Sequence, residues 1–332
     1  MKKILITGGL GYIGSHVAAK LVSAGAQVAV LDDLSNASHD NHKRLEKLCG
    51  TPITLYEVDI VRADAVAQAF SDFQPDCVVH CAGRKSIGES WRKPLTYYDV
   101  NVTGTLNVLQ AMDQVGCTSM VFSSSAAIYG TPQHLPVDET HPIMPVNPYG
   151  RSKATAEQVI ADWQQLSSDR TAILLRYYNP VGAHESLLIG EAPSQQPNNL
   201  FPVICDIVHG AATRLDIFGD DYDTDDGTGA RDYIHVEDLA EAHHRALQRL
   251  ASGDLHILNL GTGRATSVLQ IVSLFETVAG SKIPKAIVAR RKGDVATVVA
   301  DNAKSLEALG DYVTHGLEDA VQTSFNFSAR RI

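Results

Sequence analysis

The stretch Ile4-Leu5-Ile6-Thr7-Gly8-Gly9-Leu10-Gly11-Tyr12-Ile13-Gly14 decides the fold. A short β-type apolar run enters a cluster of glycines, and residues 12–24 then carry apolar side chains at helical spacing until Gly25. Strand, tight turn and helix in that order open a βαβ unit, and both Gly9-x-Gly11-x-x-Gly14 and Gly8-x-x-Gly11-x-x-Gly14 lie at its turn. Glycines let the backbone turn sharply and come close to a pyrophosphate, while the helix start offers free N–H groups and a partial positive charge. The pattern therefore predicts a dinucleotide held by Gly8, Gly11, Tyr12, Ile13 and Gly14. A second strand over 27–31 ends at Asp32, about twenty residues on, where a carboxylate bonds the adenosine ribose and repels a 2′-phosphate. Asp33 adds to that repulsion, and no arginine stands near, so the expected cofactor is NAD rather than NADP.

Working outward, strand patterns recur at 53–58, 77–81, 119–123 and 172–177, separated by helical patterns at 42–48, 63–70, 95–115 and 149–166. Alternating strands and helices imply right-handed βαβ crossovers. The fold class is α/β, a Rossmann-type doubly wound parallel sheet followed by a smaller mixed α/β C-terminal lobe. Residues 179–202 are rich in Gly, Pro, Ser and Asn, and residues 220–229 in acids and glycines. The division is a cofactor-binding domain over 1–179 and a substrate lobe over 180–332, with segments free to cross between them. Shorter elements are expected over 232–235, 237–250 and 267–278.

Composition narrows the function. The 332 residues carry a net charge of −10, which argues against a nucleic-acid surface. The five cysteines, Cys49, Cys77, Cys81, Cys117 and Cys205, form no Cys-x-x-Cys pair and read as reduced thiols of a cytoplasmic protein. No signal peptide is expected, no apolar run reaches the roughly 18 residues of a membrane helix, and no metal motif appears.

Chemistry concentrates at two places. Ser123-Ser124-Ser125 closes the fifth strand, and Tyr149 and Lys153 stand four residues apart at the start of the next helix. Positions i and i+4 share a helix face, and ligands of open α/β sheets gather at the carboxyl ends of strands. A phenol acts as a base only once its pKa falls from about 10, and a nearby ammonium lowers it. Tyr149 is thus the expected base, Lys153 its tuning group, and Ser125 a hydroxyl that orients an oxygen or relays a proton. Asp59-Ile60 and Ala82-Gly83, after the third and fourth strands, are expected along the cofactor. For Asp59, capping the next helix is an equally good reading. The adjacent His243 and His244 read as packing or surface residues.

Beyond the glycine turn and the Tyr-x-x-x-Lys helix, four longer runs carry a resemblance. They are residues 82–90, Phe122 to Ser125, residues 176–184 and residues 229–236. On these the chain resembles, nearly end to end, the extended short-chain dehydrogenase/reductases, and within them the UDP-hexose 4-epimerases. The resemblance implies Tyr149 as catalytic base and acid, assisted by Ser125 and tuned by Lys153. It sets Lys85 and Tyr177 beside the cofactor, with Lys85 also near the sugar, and Asn179 on a diphosphate oxygen or sugar hydroxyl. Asn198, Asn199, Leu200 and Phe218 would line a uridine pocket. Arg231 and Arg291 would clamp the diphosphate, Asp294 would hold the uridine ribose, and Tyr233 would join the substrate wall. The implied reaction is an NAD-dependent isomerisation of UDP-glucose and UDP-galactose. C4 is oxidised transiently, the 4-keto sugar rotates, and the hydride returns to the other face. A homodimer through residues 95–115 and 149–166 is implied too.

The sequence departs from that family at Asp33, often Asn, at Tyr178, commonly Phe, and at Val298. Val298 stands where a residue gates the 2-acetamido group of larger sugars. Its intermediate size leaves UDP-N-acetylglucosamine as an alternative substrate. A sugar-nucleotide dehydratase of the same fold would need an Asp-Glu pair after Ser125, where Ala126-Ala127 stand instead. A non-catalytic NAD(H) sensor would have no use for a base at Tyr149.

Overall fold

The computed structural model describes residues 2–192, 197, 199–249, 253–291 and 293–330. β1 (Lys3–Thr7) is buried along Ile4-Leu5-Ile6-Thr7, as suits a strand covered on both faces. The glycine turn leads into α1 (Tyr12–Ser23). Two of its glycines are sterically required. Gly8 has φ +65°, and a Cβ there would lie 2.7 Å from the Ala82 nitrogen. A Cβ on Gly14 would lie 2.2 Å from the Gly8 carbonyl oxygen. The turn is therefore pressed against both its own helix and the end of a later strand.

β2 (Gln27–Asp32), α2 (His39–Cys49), β3 (Thr54–Glu57), α3 (Ala63–Phe73) and β4 (Cys77–His80) follow. Next come α4 (Ile87–Arg92), α5 (Pro94–Tyr98), a π turn (Asp99–Thr103), α6 (Gly104–Val115), β5 (Ser119–Ser125), α7 (Pro148–Gln165) and β6 (Thr171–Tyr177). The remainder is β7 (Asn179–Val181), α8 (Leu200–Val208), β8 (Leu215–Phe218), β9 (Ala230–His235), α9 (Val236–Gln248) and β10 (Leu255–Leu260), then β11 (Ala265–Ser267), α10 (Val268–Ala279), β12 (Lys285–Val288), β13 (Thr297–Val298), α11 (Ala303–Leu309) and α12 (Leu317–Ala329).

Seven parallel strands form one sheet in the order β10-β6-β5-β4-β1-β2-β3. The chain runs outward from β1 to β3, then crosses to β4 on the other side of β1. The crevice between the carboxyl ends of β1 and β4 is thus a topological switch point, where ligands of such sheets bind. The alternation of each strand splits the core in two. Ile4, Ile6, Val30 and Val79 face α1 and α9 through Val17, Leu21 and Leu239. Leu5, Leu31, Val78 and Phe122 face α3, α6 and α7 through Phe70, Val108, Met112 and Ile160. β9 pairs with β7, β11 and β13, while β8 pairs with β12. Val181, Phe201, Ile204, Ile217, Tyr233 and Phe275 pack this second lobe.

Three features add detail to the sequence reading, which left segments free to cross between the lobes and put the serine run at the close of the fifth strand. β10, with polar His256 and Asn259 interrupting its apolar pattern, returns from beyond residue 180 to pair with β6, Leu255 opposite Ala172. α9 likewise packs on α1. The helix expected over 95–115 is present, running without a break from Pro94 to Val115 but widening into a π segment at Asp99–Thr103, and α4 precedes it. β5 runs on to Ser125, so all three serines belong to the strand.

Below the strand ends lies a buried polar network. Arg176 on β6 meets the Glu157 carboxylate of α7 at 2.7 and 3.1 Å, and Ser124 donates to the same carboxylate. The Arg176 guanidinium also donates to the Tyr129 hydroxyl at 2.8 Å, which donates to Asn259 on β10 at 2.7 Å. Arg176 is only 2% exposed. A buried ion pair adds little net stability, but removing one partner strands the other's charge. Glu157→Ala is therefore expected to lower stability by about 3–5 kcal/mol in urea unfolding. A loss under about 1 kcal/mol would show that water or another anion takes over the guanidinium.

Candidate active site

α7 begins where Asn147 accepts a hydrogen bond from the Gly150 amide at 2.8 Å, with Pro148 in the first turn. Its inner face then presents Tyr149, Lys153 and Glu157, spaced by four, to the serine end of β5. The Ser125 hydroxyl lies beside the Tyr149 phenol. That hydroxyl also accepts from the Ala127 amide at 3.2 Å. Burial raises the Tyr149 pKa above the usual phenol value, and the Ser125 contact opposes the rise. The Lys153 ammonium, 6% exposed, donates to the Ser123 carbonyl at 2.8 Å and lies 4.6 Å from the Phe122 ring centre. Burial pushes its pKa down to about 8. The sequence reading assigned the tuning of the phenol to Lys153. Among the chain's own groups the pull on it comes from Ser125, and the ammonium is directed at the strand end. Tyr97 meets the Tyr149 ring edge-on at 6.4 Å.

Tyr177 lies in the core beneath this centre. Its hydroxyl is 2.7 Å from Ser123 Oγ and bonded to His243 Nε2. His243 donates from Nδ1 to the Leu239 carbonyl at 2.7 Å, and burial lowers its pKa to about 4. The imidazole is therefore neutral at pH 7. His243 is a buried packing residue, whereas its neighbour His244 bonds Gln248 at the surface.

Most of the residues expected along a dinucleotide stand at or just beyond the carboxyl ends of the parallel strands. Gly83 backs onto the centre, since a Cβ there would lie 3.4 Å from Lys153 Nζ. Ala82 donates its amide to Thr7 Oγ1 at 3.3 Å. The Asp32 carboxylate is 7% exposed, accepts from the Leu10 and Leu34 amides at 3.0 Å each, and makes no ion pair among the described residues. Burial raises its pKa while these bonds hold it down. Asp59 accepts from the Val61 amide at 3.1 Å and so shapes the turn before α3. Ile60 is buried against Gly104, where a Cβ would be 2.4 Å from its Cδ1. The sequence reading missed Asn101. Its Oδ1 accepts from the Arg84 amide at 2.7 Å, and its Nδ2 donates to the Arg84 carbonyl at 3.1 Å and to Ser152 Oγ at 2.9 Å. It ties the loop after β4 to α7. The available signal was a lone Asn shortly before Gly104 inside a helical pattern.

Residues beyond 180 reach the glycine turn and the loop after β4. Tyr12 donates its hydroxyl to the Gly182 carbonyl at 2.7 Å, and Lys85 pairs with Glu191 at 3.0 Å. Asn179 opens β7, exposed and in register with Tyr233 on β9. Asn199 is the N-cap of α8 and Leu200 its first residue, while Asn198 lies outside the described residues. Further along, the Arg291 guanidinium lies 4.6 Å from the centre of the half-exposed Phe218 ring and pairs with Asp294 at 2.8 Å. Arg231 donates to the Ala230 and Ala296 carbonyls at 2.7 and 3.3 Å and makes no ion pair among the described residues. Burial lowers its pKa, so its charge is incompletely compensated. Tyr233 beside it is raised to about 12 by burial, opposed by Arg231 and Arg291.

Fold and site together define a dinucleotide-binding α/β enzyme with a serine–tyrosine–lysine centre. The chain belongs to the NAD dependent epimerase/dehydratase family, whose profile matches residues 4–261. It is 43% identical over 330 residues to the UDP-glucose 4-epimerase of Bacillus subtilis, covering 99% of this chain and 97% of that one. It is 46% identical over 325 residues to the human UDP-glucose 4-epimerase, covering 96% and 93%. Among solved structures, the Stenotrophomonas maltophila UDP-glucose 4-epimerase with bound NAD and formylated UDP-arabinopyranose superposes with a TM-score of 0.97 at 41% identity, covering 100% and 99% of the two chains. The Bifidobacterium longum enzyme in complex with NAD+ and UDP gives 0.96 at 40% identity, covering 99% and 98%.

The lysine charge yields a test that needs no substrate. A lysine whose folded pKa is depressed to about 8 costs stability while protonated, and that cost is relieved as pH rises from 8 toward the unfolded value near 10.4. Lys153→Met is thus expected to stabilise the protein more at pH 7 than at pH 10, by about 2 kcal/mol in urea unfolding. An equal effect at both pH values would mean that the ammonium keeps its ordinary pKa.

Proposed function

We propose that this chain interconverts UDP-glucose and UDP-galactose, with NAD as resident cofactor. The observation that carries the reading is the meeting of the α7 face that bears Tyr149 and Lys153 with the Ser125 end of β5, beside the sheet's switch point. The switch-point crevice suits the cofactor. α1 starts at Gly11 with no side-chain cap and no acid in its first turn, which leaves its N-terminus open to a pyrophosphate. Asp32 is a buried carboxylate without a cation partner among the described residues, a ready acceptor for ribose hydroxyls. NAD, when bound, takes the hydride from the sugar C4 and gives it back.

The chain's own residues do the rest. Tyr149 accepts the proton of the 4-hydroxyl and later returns it, with Ser125 beside the phenol throughout. Lys153 keeps a positive charge on the Ser123 carbonyl, one helical turn along α7 from the phenol, where it can meet the cofactor or the substrate. Gly8, Gly11, Tyr12, Ile13 and Gly14 lie along the pyrophosphate, Asp59 and Ile60 beside the adenine, and Ala82, Gly83, Lys85 and Tyr177 toward the nicotinamide half. Arg231 and Arg291 take the diphosphate of the substrate, for which guanidinium forks suit phosphate oxygens. Asn199, Leu200 and Phe218 flank the uracil, Asp294 the ribose, and Asn179 and Tyr233 the path between. A firm hold on UDP with few fixed contacts to the hexose lets the keto sugar turn over in place. In this reading residues 1–179 form the NAD lobe and 180–332 the UDP-sugar lobe, with β10 crossing back.

We further propose a cytoplasmic homodimer built on α5, α6 and α7. Leu95 is 81% and Trp91 48% exposed on that side, and the five cysteines are free thiols. No helix among the described residues is long and apolar enough to cross a membrane.

For Tyr149→Phe, loss of a positioned acid–base group predicts a fall in kcat with UDP-galactose of at least about 100-fold, with UDP affinity held within about twofold. Steady-state kinetics and calorimetry with UDP read the two quantities. A variant as active as the parent would remove Tyr149 from the proton transfer. A parent charged with NAD that leaves UDP-galactose unchanged would overturn the whole reading.

A further inference from the structure

Glu191 occupies a position that the reaction as described does not use. Its side chain is 13% exposed, and one oxygen, Oε1, accepts from two donors of different lobes: Lys85 Nζ at 3.0 Å and Asn199 Nδ2 at 2.6 Å. Lys85 belongs to the loop after β4, at the switch point, and its ammonium also lies 5.9 Å from the centre of the Tyr12 ring. Asn199 is the N-cap of α8. Asparagine is among the preferred helix caps because its side-chain oxygen can accept from the first turn. Here the side chain makes no cap hydrogen bond and donates to Glu191 instead. The backbone that carries Glu191 is itself pinned. Gly190 bridges to Ala183, and a Cβ on Gly190 would lie 2.7 Å from Phe327 Cδ1 and 2.8 Å from Ala183 Cβ. The carboxylate is thus a fixed anchor, and the two donors have come to it.

We propose that Glu191 is a positioning residue that locks Lys85 and Asn199 onto one carboxylate, setting the sugar side and the nucleotide side of the cleft as a single unit. The inference rests on the functional reading above and deepens it. A long lysine left alone samples many rotamers, and ordering it on binding costs affinity. A carboxylate that already holds the ammonium removes that cost. The same bond turns the Asn199 amide into the cleft rather than back onto α8. Nucleotide binding beside Asn199 and orientation of the sugar beside Lys85 are then coupled through one anion.

The test compares Glu191→Ala, Lys85→Ala, Glu191→Gln and the double variant Lys85→Ala/Glu191→Ala, using the NAD-loaded protein. Loss of hydrogen bonds to a charged group predicts that Glu191→Ala raises the UDP Kd and the KM for UDP-galactose about tenfold, with kcat falling less than KM rises. Glu191→Gln keeps an acceptor for Asn199 and is expected to recover the UDP Kd to within about threefold of the parent. The double variant is expected to be no worse than the poorer single one, because partners in one unit are not additive. Melting temperatures within about 2 °C of the parent separate positioning from damage to the fold. A UDP Kd and KM of Glu191→Ala within twofold of the parent, additive effects in the double variant, or a binding loss matched by a collapse in melting temperature would each overturn the role. Were the parent itself to bind no UDP and turn over no UDP-galactose, the functional reading would fall and this role with it. An active parent and an equally active Glu191→Ala would remove the role alone.

Discussion

One helix face docked on one strand end is the constraint from which the rest follows. Tyr149, Lys153 and Glu157 lie one turn apart along α7 and meet Ser125, the Ser123 carbonyl and Ser124 in turn. Each contact is of a different kind: a phenol to a hydroxyl, an ammonium to a carbonyl, a hydroxyl to a carboxylate. Because the three share one rigid element, none can shift without moving the others. The deepest of them is locked by Arg176, which binds Glu157 from β6 and reaches Tyr129 and Asn259. The reactive end of α7 therefore inherits its precision from a polar network that faces no ligand.

The same logic explains how the switch point is built. Gly8 abuts Ala82 and Gly14 abuts Gly8, so β1, α1 and the end of β4 meet with no room for a side chain. Asn101, delivered by the π turn, ties the backbone after β4 to Ser152 on α7. The glycine turn, the loop after β4 and the start of α7 are thus parts of one assembly, joined by backbone contacts and the buried Asn101 amide.

Charge in the second lobe is distributed unevenly, and the unevenness is informative. Arg290 is held by Asp221 and Arg291 by Asp294. Among the described residues Arg231 hydrogen-bonds only carbonyl oxygens, with Asp294 near it but paired to Arg291, while burial works against its charge. A guanidinium kept in that state gains most from an anion with two or more oxygens, which is what a diphosphate presents.

Much of this was legible in the sequence, because it is written in local spacing. The glycine turn, the carboxylate at residue 32, the serine run and the four-residue step from Tyr149 to Lys153 are patterns within a few residues of one another, and backbone geometry translates them directly into a groove and a helix face. Glu157 continues that step and could have been read from it; Arg176, its partner, could not, because strand β6 alone does not say what lies beside it. Asn101 was hidden because a π turn has no spacing of its own in a helical pattern. β10 was hidden because its polar residues serve a network assembled from four distant elements. Asn199 and Lys85 could be named as site residues, but their common carboxylate depends on two lobes meeting across more than a hundred residues of chain. Sequence determines what each segment can offer to its neighbours. Only folding decides which distant groups share a dry, fixed environment, and that sharing sets the pKa values of Lys153 and Tyr149 and the isolation of Arg231.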